Sequence, residues 1–174
     1  MENRKLIWSD ASLPGLVLGA IPVAYFLLGI LITKMPAGLL QGLSSALAWI
    51  AKFVGCIWLF RFYMKRFASD REDATNSDTM RFGIAMALYS AFIVALFQFL
   101  YCSVINPEYL SEAIETALRE IGPQLDSNSL NAINDMMPSL PKLSFISNFI
   151  WCFIFGAVLS AIFSRKIPST NPFD

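Results

Sequence analysis

The pattern of apolar and polar positions divides the chain into four long apolar blocks separated by polar segments. The blocks cover residues 13–32, 40–63, 82–105 and 143–163. A helix needs about 20 mostly apolar residues to cross roughly 30 Å of hydrocarbon, and only a helix or a closed barrel satisfies its backbone hydrogen bonds there. The pattern therefore predicts an all-α integral membrane protein, one membrane domain over residues 1–174, with four transmembrane helices.

Composition and charge narrow the classes of function. Apolar residues make up 56% of the chain and charged residues only 15%, against roughly 25% charged residues in soluble domains. Thirteen basic residues balance thirteen acidic ones, so no basic excess is present to bind nucleic acid. The chain has no histidine, and the four blocks contain no Asp or Glu. We therefore predict a non-enzymatic protein with no catalytic residue, metal site or cofactor.

The distribution of basic residues predicts the orientation, because Lys and Arg accumulate in cytoplasmic segments. Nine of them lie near the two termini and around the connector 64–81, while three lie on the opposite side of the predicted membrane. We therefore expect both termini and the connector 64–81 to be cytoplasmic, and the segment 106–142 to lie outside.

The outer segment 106–142 carries two helical patterns. Asn106-Pro107 is a typical helix start, and Gly122-Pro123 is a typical stop. Leu110, Ile114 and Leu118 recur at helical spacing between them, and a second short helix is expected over about 129–137. The pattern predicts a small helical hairpin whose apolar face covers the bundle or the lipid headgroups. Docking of a partner protein is the alternative.

Small residues follow one side of each block, where membrane helices pack closely. We interpret them as helix–helix seams, and a polar cavity lined by the same sides of the helices is the alternative. The second block has a less regular stripe, from Gln41 to Cys56, that contains polar as well as small residues. The candidate packing residues are Gly15, Gly19, Gly83, Ala87, Ala91, Gly156 and Ser160.

Three polar side chains inside the blocks form a candidate intramembrane site: Lys52, Gln98 and Asn148. Lys52 lies nine residues before Arg61, or roughly 13 Å along a helix. A lysine at this depth costs about 2.5–3.5 kcal/mol on insertion scales. It therefore has a structural role, including contact with a partner subunit, or a functional one, such as holding a lipid phosphate. Gln98 and Asn148 could hydrogen-bond to each other or to Tyr101.

Several short motifs resemble the domain-of-unknown-function family 4199 (DUF4199), four-span membrane proteins mainly of Bacteroidota. They are Gly15-Leu16-Val17-Leu18-Gly19, Phe82-Gly83, Ile105-Asn106-Pro107-Glu108-Tyr109-Leu110 and the stretch from Gly156 to Lys166. The resemblance implies a multi-pass protein of the bacterial inner membrane whose segment 106–142 is periplasmic. It implies no catalytic residue, and Lys52 is not part of the family pattern.

Two functions are consistent with these patterns. The first is a non-enzymatic subunit or scaffold that lies in the lipid bilayer. It would bind a partner membrane protein, another envelope component, or itself as a homo-oligomer. The alternative is a small transporter or a helper in translocating lipid-linked substrates, with a polar site near Lys52. A polar cavity that reaches Lys52 would favour the alternative, whereas a tightly packed Lys52 would exclude it.

Overall fold

The fold, seen in a computed structural model that describes residues 2–34, 36, 38–71, 74–121 and 126–167, is helical in every regular element of these ranges. Its α-helices are α1 (Glu2–Thr33), α2 (Leu39–Ser69), α3 (Asn76–Leu100), α4 (Tyr109–Ile121), α5 (Ser127–Met136) and α6 (Leu140–Lys166). A π-helical turn, Tyr101–Ile105, continues α3, and a 3₁₀ turn, Met137–Ser139, joins α5 to α6.

Within the described ranges, four helical stretches are long and apolar enough to cross a membrane. They are Ile7–Thr33, Leu39–Ser69, Asn76–Ile105 and Ser127–Lys166. Each contains one of the four predicted blocks, so the prediction of four apolar helices is confirmed. We call the end of the bundle where α1 and α3 begin and α2 and α6 end the basal end, and the opposite end the apical end.

Helix α3 is the centre of the bundle and packs most extensively against α1 and α6. On the α1 side, the backbone of α3 passes directly over two glycines. A Cβ at Gly15 would lie 2.6 Å from Tyr89 Cβ, and one at Gly19 would lie 3.0 Å from Ile93 Cβ. The absence of a side chain at these positions is therefore what allows the two helices to approach so closely.

The seam between α3 and α6 is equally close. A Cβ at Gly83 would collide with Ser160, and a Cβ at Gly156 would collide with Ala87. Ser160 is buried and its hydroxyl donates a hydrogen bond of 2.7 Å to the Met80 carbonyl oxygen. Ala91, one turn after Ala87 in α3, is also fully buried.

The basal half contains one continuous apolar cluster, which we call the basal core. Helix α2 contributes Phe60, Met64, Phe67 and Ala68, which are all of its buried residues. Phe67 stacks on Phe82 with ring centroids 4.2 Å apart. Ile7, Ala11, Leu18, Ala85, Met86, Ala87 and Ile167 complete the cluster. All four long helices therefore meet at the basal end.

The connector between α2 and α3 is shorter than the predicted segment 64–81, because both helices extend into it. Helix α2 continues to Ser69, and α3 begins at Asn76. Thr75 and Asp78 form a reciprocal capping box that satisfies the first backbone N–H groups of α3. Arg71, between the two helices, forms an ion pair with Asp10 of α1.

The outer segment contains both expected helices, α4 and α5, but within the described residues they make little contact with each other. Leu110, Ile114 and Leu118 of α4 are half-buried. Helix α4 begins at Tyr109 rather than at Pro107, because residues 107 and 108 form a turn. The predicted stop at Gly122-Pro123 lies outside the described residues.

Candidate functional site

The apical half of the bundle encloses a cavity of about 430 Å³ between the four long helices. This volume lies within the range typical of small-molecule sites. Its walls are mostly apolar, and Phe60, Ala87 and Gly156 line the cavity next to the basal core. The cavity thus begins where the close packing of the basal half stops.

The three polar residues predicted inside the membrane, Lys52, Gln98 and Asn148, all line this cavity. They come from α2, α3 and α6, which are distant in sequence. The fold therefore brings together the residues of the candidate intramembrane site. Of the candidate packing residues, Ala87 and Gly156 also contribute to its wall, next to the basal core.

Lys52 is half-buried, and its Nζ lies over two aromatic rings. The distance from Nζ to the ring centroid is 4.2 Å for Tyr25 of α1 and 4.8 Å for Phe53. Such contacts contribute about 0.5–2 kcal/mol, which is less than the cost of a lysine at mid-bilayer. Among the described residues, no acidic side chain lies within 4.0 Å of Nζ, and the three ion pairs found there join other groups.

The hydrogen bonds considered for Gln98 and Asn148 differ from those observed. Asn148 Nδ2 donates to the Ser144 carbonyl oxygen at 2.8 Å and to Ser144 Oγ at 3.2 Å, one turn earlier in α6. The Gln98 amide forms no hydrogen bond with the described residues. Gln98 and Asn148 line the cavity from different helices. Asn148 forms its hydrogen bonds with the preceding turn of its own helix, and these bonds leave the cavity open.

Four aromatic rings, of Phe26, Phe97, Tyr101 and Tyr109, form a cluster at the apical end, and two of them, Phe26 and Phe97, line the cavity. Phe26 of α1 lies 5.0 Å from Tyr101 and 5.7 Å from Tyr109, centroid to centroid, and Phe97 lies 5.9 Å from Phe26. Burial raises the pKa of Tyr109 above its usual value. The spacing of Phe97 and Tyr101, one helical turn apart, is a signal that could have indicated this cluster. The π-helical turn at Tyr101–Ile105 ends α3 next to it.

Two cysteines also face the cavity. Cys56 of α2 and Cys152 of α6 line it, while Cys102 is buried at the end of α3. All three are free thiols. Within the described residues, no group of three metal-binding side chains occurs. The polar groups that line the cavity include one lysine, two side-chain amides, two thiols and the Ser90 hydroxyl, in a largely apolar wall.

Among the described residues, the fold has four helices that are long and apolar enough to cross a membrane. The profile of the family described as "Protein of unknown function (DUF4199)" matches residues 14–165. The chain belongs to this family, as the motifs around Gly15, Gly83 and Asn106 indicated. No curated protein and no solved structure matches it significantly.

Proposed function

We propose that this protein binds an amphiphilic molecule of the bilayer in its apical cavity and acts as a small transporter or as a helper in translocating lipid-linked substrates. The observation that carries the proposal is the joint position of Lys52, Gln98 and Asn148 on one cavity of about 430 Å³. A polar cavity reaching Lys52 is the feature that separates this function from a purely structural one.

The energetics of Lys52 support the proposal. An ionisable side chain within the hydrocarbon region is expensive and usually marks a pathway or a binding site. A purely structural lysine is expected to be paired with an acid or packed against carbonyl groups. Lys52 instead lines an open volume, and its Nζ lies over the ring faces of Tyr25 and Phe53.

The orientation belongs to the proposal as well. Nine basic residues lie near the basal end and three near the apical end, so the positive-inside rule favours cytoplasmic termini, and the family resemblance implies a bacterial inner membrane. The cavity would then lie in the periplasmic half of the bilayer, and α4 and α5 would lie in the periplasm.

The experiment is a cavity-filling substitution read by native mass spectrometry. Val94 lines the cavity, whereas Val158 faces outward on α6 with 52% of its surface exposed. The Val94→Trp variant should lose the lipid adducts that the wild-type protein retains after gentle solubilisation, because the indole occupies their volume. The matched Val158→Trp variant should retain them.

Two results would count against the proposal. The first is an identical set of adducts on the wild type and the Val94→Trp variant. The second is a wild-type protein that carries no adduct and gains no thermal stability from added lipid extract. A thermal melt of each variant shows whether it is folded, so that loss of adducts is not mistaken for loss of structure.

A second candidate, a non-enzymatic subunit that binds a partner membrane protein or a second copy of itself, is favoured by α4. Its apolar residues Leu110, Ile114 and Leu118 are only half-buried, and the described ring contacts of α4 with the bundle are made by Tyr109. Co-purification of a defined partner, or a stable homo-oligomer that Ile114→Asp disrupts, would support this function. Monomeric wild-type protein without partners would contradict it.

A further inference from the structure

The apical cavity has a strong asymmetry of charge, which bears on the kind of amphiphile it accepts. Lys52 is the only Lys, Arg, Asp or Glu residue in its described lining. Among the described residues, the ion pairs are Arg66–Asp70, Arg71–Asp10 and Arg81–Asp78, and all of them lie at the basal end. The cavity thus has a cation and lacks a counter-ion of its own.

The position of the ammonium group leaves its donors available. An ammonium group has three N–H donors and no acceptor. The faces of Tyr25 and Phe53 attract the positive charge but accept no conventional hydrogen bond. An anionic oxygen would satisfy these donors, and charge-assisted hydrogen bonds are roughly twice as strong as neutral ones.

The neutral polar groups provide further donors and acceptors near the cation. The Gln98 side-chain amide forms no hydrogen bond with the described residues, so both of its ends are available to a ligand. Asn148 uses Nδ2 for Ser144 and retains its side-chain carbonyl oxygen. Ser90 of α3 lines the same cavity. These groups suit the hydroxyl, ester or sugar oxygens that accompany an acidic headgroup.

The rest of the wall suits an apolar chain. Val23, Phe26, Val94, Phe97, Phe155 and Leu159 are among its lining residues. In addition, α2 has no buried residue in its apical half, and Leu39 and Leu47 are 82% and 67% exposed. An alkyl chain can therefore extend from the cavity into the bilayer beside α2.

We infer that the cavity selects an amphiphile with an anionic headgroup, a phosphate or a carboxylate, that binds Lys52 Nζ while its alkyl chain lies along the apolar wall. This inference rests on the proposed function and specifies its substrate class. The shared chemistry is an acidic oxygen at one end of a hydrocarbon chain.

The test compares ligands that differ only in the headgroup. Hexadecyl phosphate, palmitic acid and hexadecanol are titrated into wild-type protein in nanodiscs of phosphatidylcholine, and inorganic phosphate is titrated separately. We expect the two acidic amphiphiles to bind about tenfold more tightly than the alcohol, a difference of about 1.4 kcal/mol, because an ionised oxygen attracts an ammonium group more strongly than a hydroxyl oxygen does. The stronger of the two acids identifies the headgroup.

Variants assign the preference to Lys52. Lys52→Met should bind acid and alcohol equally, and Lys52→Arg should retain a preference for the acid. Lys34→Met, which removes an exposed cation outside the cavity, should behave like the wild type. A preference for the acid that persists in Lys52→Met would overturn the inference.

The failure of this inference and the failure of the proposed function give different results. Equal binding of all three amphiphiles by the wild type, abolished by Val94→Trp, would reject the acidic headgroup but support the cavity as a binding site. Binding that Val94→Trp leaves unchanged would reject both. Saturable binding of inorganic phosphate alone, as tight as that of hexadecyl phosphate, would overturn the requirement for an alkyl chain.

Discussion

The basal and apical halves of the bundle differ in how closely their helices approach. In the basal half, glycines and a serine bring α1, α3 and α6 together, and the aromatic end of α2 closes the core. In the apical half, α2 has no buried residue, and a cavity of about 430 Å³ lies between the helices. The same four helices thus form a closed core at one end and a cavity at the other.

The difference teaches what packing in lipid requires. Since lipid tails are as apolar as leucine, helices associate through close contact and not through exclusion from water. Gly83 and Gly156 allow such contact on α3 and α6. On α2, the polar stripe from Gln41 to Cys56 contains Lys52, which lines the cavity. Substitutions at the small residues of the close contacts and at the lysine of the cavity test whether these residues cause the difference between the two halves.

The largest effect is expected from filling the close contact at Gly156. The change Gly156→Leu places a side chain where even a Cβ meets Ala87. Overpacking of this kind costs about 1–3 kcal/mol and more when the backbone has to shift. Titration with a denaturing detergent should show this loss in the free energy of unfolding. Gly55→Leu is the matched control, because nothing lies within 4 Å of a Cβ at Gly55, and a loss of equal size there would refute the packing argument.

A smaller effect of the opposite sign is expected from removing the charge in the cavity. Lys52→Met replaces the ammonium with an apolar group of similar length, and a lysine at mid-bilayer is unfavourable by about 2.5–3.5 kcal/mol on insertion scales. We expect the free energy of unfolding to stay the same or to rise by up to about 2 kcal/mol, since the cation–π contacts are lost. A clear destabilisation, measured in the same titration, would indicate that Lys52 serves as a structural residue.

A modest effect is expected from the buried hydroxyl between α3 and α6. Ser160→Ala removes the 2.7 Å hydrogen bond to the Met80 carbonyl, and interhelical bonds of this type average about 0.6 kcal/mol in membranes. Ser164→Ala is the control, because Ser164 Oγ donates to Ala161 within its own helix. A lower melting temperature in Ser160→Ala alone would support a contribution of the interhelical hydrogen bond. Equal melting temperatures of the two variants would contradict it.

The smallest effect is expected from the ion pair at the basal end. Arg71 and Asp10 are partly exposed, with side-chain exposures of 26% and 47%, and such pairs contribute about 0.2–1 kcal/mol that salt screens. Asp10→Asn should therefore reduce stability slightly at low salt and not at high salt. An effect that does not depend on salt would point instead to the contact of Arg71 with the Phe67 ring.

The four apolar helices and the small-residue positions could be predicted from the sequence because each depends on local pattern. Helix length, composition and the spacing of Gly83, Ala87 and Ala91 are all properties of one segment. The short connector between α2 and α3 was missed, although Thr75 and Asp78 carry a capping signal that the sequence displays. The weak contact between α4 and α5 depends on their relative position, which no local pattern specifies.

The candidate site was predicted in its residues but not in its form. Lys52, Gln98 and Asn148 stand out because polar side chains are rare in apolar blocks. The sequence allowed either a close helix–helix seam or a cavity at these three residues, because the distance between their side chains depends on how far α2 diverges from α6. The aromatic cluster that contains Tyr101 and Tyr109 likewise requires α1 and α4 to meet.

The sequence by itself determined the number of helices that are long and apolar enough to cross a membrane and the identity of the polar side chains inside them, because these follow from the apolar character of residues within one segment. Only the tertiary structure decided that the basal half closes and that the apical half encloses a cavity. The physical reason is that a void results from the mutual distance of helices, and that distance is fixed by contacts between residues far apart in the chain.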